Sequence, residues 1–143
     1  MRIWQRVGLA YLTVGVALVA FWAAFAPRSF YTDFPGGGRH WVSPDGPYNE
    51  HLVRDVGQLN LALFVVLLAA TITLSKPLVR AALAATILSG VLHVVYHSGH
   101  VGDFASSDQV AILSSLVLGP VVAVVLLATT LRPDRPLSGA GSA

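Results

Sequence analysis

The chain contains no cysteine and only one lysine, Lys76. Without thiols, disulfides, thiolate metal sites and cysteine nucleophiles are excluded. Any transition metal must therefore be held by imidazole and carboxylate. Charge is also scarce: 11% of the 143 residues are charged, against about 25% in soluble domains. The few basic residues are scattered, with no patch. At a net charge of +2, the pI near 9.4 does not indicate nucleic acid. The hydrophobic share is 55% and the mean hydropathy +0.68, which indicates an integral membrane protein.

What is present is four long apolar runs, at residues 7–26, 56–74, 78–96 and 110–131. They predict helices over about 7–26, 48–74, 78–99 and 109–131 in a single domain, 1–132. The Pro/Gly/Ser-rich segment 133–143 reads as a disordered cytoplasmic tail. Ala24-Phe25-Ala26 resembles a signal-peptidase site. The apolar run before it is longer than the typical ~7–15 residues, and Pro27 would stand at +1, so the segment reads as a retained membrane helix. Arg2, Arg6, Lys76, Arg80, Arg132 and Arg135 fall on one side of the four crossings, and Arg28, Arg39 and Arg54 on the other. The basic side is cytoplasmic, so both termini are expected inside. The fold class that follows is all-α: a polytopic four-helix bundle in the membrane, with a long extracytoplasmic loop between helices 1 and 2.

Turn signals divide that loop. Pro35-Gly36-Gly37-Gly38 lacks the Lys-Ser/Thr of a phosphate-binding loop. Ser43-Pro44-Asp45-Gly46-Pro47 is a second turn, after which Asp45 or Asn49 is placed to cap the next helix. Pro120 inside the fourth run predicts a kink that frees the carbonyl near Leu116. Asn60 reads as an interhelical hydrogen-bonding residue.

All five histidines lie on the expected outer side. His93, His97 and His100 close the third run as H-x-x-x-H-x-x-H. At about 100° per residue they share one narrow face, continued by Ser89, Thr86 and Ala82. Such a polar and small stripe belongs against other helices. His51, Asp55, Gln58 and Ala62 form a similar face on the second helix, at matching depth, so the two faces are expected to meet. Ionisable groups at such positions are usually functional. Three imidazoles with a carboxylate suit Zn, Fe or Cu, with His51, Asp55, His93, His97 and His100 as the candidate ligands. Asp103 is a further candidate. His40 reads as a loop residue, and Glu50 as part of a solvated first helical turn. A hydrogen-bonded structural network is the alternative, as is a haem, proton-relay or pH-sensing role.

The boxes resemble those of membrane desaturases and hydroxylases, which need around eight histidines where this chain has five. The resemblance to sterol-isomerase-type bundles, which use His, Glu and Asp without metal, is looser. Gly38-Arg39-His40-Trp41-Val42, then Gly46-Pro47-Tyr48-Asn49-Glu50-His51-Leu52-Val53-Arg54-Asp55-Val56-Gly57, with the later histidine box, resemble small uncharacterised four-helix membrane proteins of actinobacterial type. The resemblance covers most of 30–104. It implies the fold and a bacterial inner-membrane location, and no activity.

The function expected is a small integral membrane protein whose outward His/carboxylate cluster holds a divalent metal acting on a lipid or small amphiphile. The alternative is a non-enzymatic membrane subunit or pH-responsive binding module. Whether it is an enzyme stays open. The bilayer is the expected partner, with a second membrane protein or a homo-oligomer also open.

Overall fold

The computed structural model describes residues 3–131. Among them are five α-helices: α1 (Ile3–Phe25), α2 (Pro27–Asp33), α3 (Glu50–Thr73), α4 (Lys76–Ser98) and α5 (Ser106–Thr130). A 3-10 turn (Ser43–Asp45) and two short strands, β1 (Pro35–Gly36) and β2 (Arg39–His40), lie between α2 and α3. All but α2 are long and apolar enough to cross a membrane. At 23 residues or more, each is about 35 Å long, enough for a hydrocarbon core. This is a multi-pass membrane architecture. It accounts for the exposed Leu59, Ile72, Leu88, Val95 and Val110, which lipid would cover.

The helix ends follow local chemistry. α1 starts at Ile3, earlier than position 7, and so takes in Gln5, whose amide donates to Thr129 Oγ1 at 2.8 Å. α3 starts at Glu50 and not at 48, because Asn49 is its cap: the Asn49 side chain accepts from Leu52 N–H. It ends at Leu74 in the left-handed region (φ 53°), whose N–H returns to Ala70 O. Ser75 alone then separates Leu74 from α4, with Pro77 in the first turn. The short helix α2 and the hairpin that follows were not expected from the pattern. The segment 133–143 lies outside the described residues.

The helices pack chiefly as two antiparallel pairs, α1 on α3 and α4 on α5. At the end carrying the Leu74–Ser75 turn, all four helices share one core of Leu9, Leu12, Leu67, Ala70, Val79, Ala82, Leu83, Ala123 and Leu126. Polar clamps reinforce this turn end. Thr13 Oγ1 meets Thr71 Oγ1 at 2.9 Å, and Arg80 binds the Thr130 carbonyl and hydroxyl. Toward the opposite end, which carries the hairpin, the four-way core stops. α4 has no buried residue beyond Thr86, and the first half of α3 buries only Gly57.

At this loop end each pair is closed by a backbone-level contact. A Cβ on Gly57 would lie 2.2 Å from Ala24 N in α1, and one on Gly90 would lie 2.4 Å from the Pro120 ring in α5. Helix backbones approach this closely only where one side chain is missing. Pro120 sits inside an assigned helix that runs on without interruption to Thr130.

Gly57→Ala should therefore destabilise the protein by about 1–3 kcal/mol, the usual penalty of overpacking. Gly15, whose Cβ would meet nothing within 4 Å, should tolerate Ala or gain up to about 1 kcal/mol from helix propensity. Unfolding of both variants in mixed detergent measures the contrast, and equal stability of the two would refute the close-packing account.

Candidate functional site

The five expected ligand residues fall into three sets. On α3, His51 Nε2 and Asp55 Oδ2 stand 3.4 Å apart, one turn from each other. The His51 side chain is 82% exposed, and a pair so open to solvent contributes little. Just past α4, His100 stacks on Tyr96, with ring centroids 4.1 Å apart, and its Nδ1 meets the Tyr96 carbonyl at 2.7 Å. A carbonyl only accepts, so Nδ1 is the donor in this bond. The third set is His93 and His97, whose rings meet edge to face at 4.6 Å.

The His93/His97 pair has the most unusual environment. Its helix face is the one that carries Ala82 and Thr86, both buried in the four-helix core at the turn end. Further along, the helix pairs no longer share a core, and Ser89 and His93 are exposed on that same face. His97 is half-buried, and its ring meets Tyr96 at 90° with centroids 5.2 Å apart. Its Nδ1 is buried and hydrogen-bonds to no protein group. An orphan of this kind is rare in native structures, because leaving a buried polar atom unpaired costs about 1–3 kcal/mol.

Asp45 lies in the 3-10 turn between the hairpin and α3. The turn is anchored by Tyr31, whose hydroxyl donates to the Gly46 carbonyl at 2.7 Å. Tyr48 packs on Tyr31, and the Arg28 guanidinium lies 4.6 Å above the Tyr48 ring. Partial burial, with the Glu50 carboxylate next, raises the Tyr48 phenol above its ordinary value, so it stays protonated and neutral.

Other residues resolve more simply. Glu50 pairs with Arg54 at 2.8 Å, and Arg54 also donates to the Ala24 carbonyl at 2.6 Å. Arg54 thus ties α3 to α1 and does not face the histidines alone. His40 Nδ1 meets the Thr32 carbonyl, which makes it part of the loop. Asn60, expected to bond between helices, donates to Val56 O one turn back on its own helix. No three His, Asp or Glu side chains converge as a metal group among the described residues. The His93/His97 pair is the nearest approach to one.

The orphaned Nδ1 makes a stability test of the site. If His97 were held for structure, replacing it would cost stability. We expect the reverse: His97→Phe keeps a ring in place, removes the unpaired nitrogen, and should raise unfolding stability by about 1 kcal/mol. A loss of similar size would identify His97 as a structural hydrogen-bonding residue. The chain matches no protein-family model, no curated protein and no solved structure, so any functional reading rests on the chemistry of this site.

Proposed function

We propose that the protein is a four-helix bundle of the bacterial inner membrane, with both termini cytoplasmic and the loop end facing outward. In this reading His93 and His97 bind a divalent transition metal, and the site acts on a lipid or small amphiphile. The observation that carries it is the His93/His97 pair with a buried, unpartnered Nδ1. Spacing of i, i+4 lets one helix face offer two imidazoles to one ion. The absence of cysteine restricts the donors to nitrogen and oxygen, which suits Zn, Fe or Cu.

Two imidazoles alone do not complete a coordination sphere. His51, Asp55 and His100 remain candidate ligands that local movement would have to bring in. A bound ion would supply Lewis acidity. A second reading is a pH-responsive binding module. It is favoured by the lack of a converged third donor among the described residues. In that reading a proton takes the place of the metal.

Metal analysis of gently purified protein separates the two. The first reading expects about one ion per chain, lost in His93→Ala and His97→Ala and retained in His40→Ala. Binding should weaken steeply below about pH 6, since imidazole must be neutral to ligate. Wild-type protein free of metal, with titrated binding no stronger than that of the double alanine variant, would overturn the metal site.

A further inference from the structure

Three polar groups in succession along α4 find no hydrogen-bond partner among the described residues. The first is the Ser89 hydroxyl, in the middle of the span. Thr13, Thr71, Thr86 and Ser115, in the same set of spans, each bond to a carbonyl of their own helix. One turn beyond Ser89 comes the His93 ring, with the His97 ring as its neighbour, and then the buried His97 Nδ1. At 1.5 Å per residue, Ser89 stands roughly 14 Å below the end of α4 at Ser98.

The direction these groups face follows from the packing of α4 on α5. Gly90 and Pro120 touch across this antiparallel pair. Stepping one residue back from a facing contact turns both antiparallel chains about 100° to the same side. Ser89 and Gly119 therefore lie at one depth and on one side of the pair. On that side Ala82, two turns below Ser89, and Ala123, one turn below Gly119, enter the core shared with α1 and α3. At the level of Ser89 that core has ended. Ser89, His93 and Ser115 are exposed, and a Cβ on Gly119 would meet nothing within 4 Å. On the other helix pair, Val56 continues the Leu67 face of α3 three turns on and is 45% exposed. The opposite side of the α4/α5 pair is of another character: Val91, Val95, Val121 and Val125 flank Pro120 in an apolar groove.

We infer that the two helix pairs enclose a water-filled crevice, open at the loop end and closed at Thr86 by the shared core, through which a small water-soluble ligand reaches His93 and His97. Hydrocarbon in this gap would leave Ser89, His93 and the His97 nitrogen unsatisfied, whereas water satisfies all three. Ionisable side chains within membrane spans characteristically line such cavities. For the site proposed above, the crevice selects a ligand that arrives from water. The crevice itself does not depend on a metal.

Because the chain has no cysteine, single introduced thiols report on the gap directly. Ser89→Cys and Ser115→Cys place a thiol in the crevice. Val91→Cys and Val121→Cys place one at similar depth on the opposite side, where the valines are 47% and 49% exposed. Each variant is reconstituted in lipid nanodiscs, whose two faces are both open to solvent, and treated with a charged methanethiosulfonate reagent. Both serine positions should react roughly tenfold or more faster than both valine positions, since an apolar setting raises a thiol pKa and depletes the reactive thiolate. Position 115, nearer the mouth, should react faster than position 89. Ser89→Cys as unreactive as Val91→Cys would mean that acyl chains or a second chain fill the gap, and overturns the crevice. Equal reaction at all four positions would mean that water reaches both sides of the pair alike, and overturns it too. Metal content plays no part in the readout, so failure of the crevice and failure of the metal site are separately visible.

Discussion

The contact on which this arrangement turns is the approach of Gly57 to the backbone of Ala24. Helices in lipid gain little from burying apolar side chains against each other, since lipid tails are equally apolar. Their association depends on close backbone packing and on polar groups that find partners. Gly57, with Ala20, Ala23 and Ala24 buried opposite it, allows α1 and α3 to stay in contact along their length. Gly90 does the same for α4 against the Pro120 ring. Each pair is thus sealed within itself at the loop end. Across that end, Arg39 and Trp41 of the connection both bond to Asp108 of α5.

At the turn end the reverse holds. The core draws on all four helices, and Gln5–Thr129 and Arg80–Thr130 join α1 and α4 to the end of α5. Bonds of this kind in membrane helices are each worth roughly 0.6–2 kcal/mol, and several together fix the register of the helices. The molecule is therefore stiffest where it has no site and least tied together where its histidines lie. A rigid base with a locally openable top is the division of labour expected where a face must be both positioned and reached.

Much of this was legible in the sequence, for identifiable reasons. The four spans follow from long apolar runs with almost no charge, and the α4 stripe from helical period. Ala82 and Thr86 proved buried, as a face turned toward other helices requires. Asn49 was one of two caps considered, and it is the cap. The failures are of another kind. α2 is seven residues of ordinary composition, too short to show a period. Asp108 carries no local signal, because its partner Arg39 is 69 residues away in sequence. Asn60 reads as interhelical from its polarity, yet its amide donates to the carbonyl one turn back on its own helix. The i, i+4 pairing of His93 and His97 was readable, whereas the lack of a partner for His97 depends on side chains from several elements.

That lack of a partner bears on why the stripe is there at all. A polar stripe kept only for packing would be satisfied, as Thr86 is by the Ala82 carbonyl and Thr13 by Leu9 O and Thr71. Along α4 the pattern changes with depth: threonine in the shared core is fully bonded, and histidine beyond it is not. The change occurs where the helix pairs lose their common core. An unpaired buried nitrogen at position 97 works against stability. Sites that run against local stability are where function is expected to reside, and here the sequence stripe and the split of the helix pairs both converge on the same two rings.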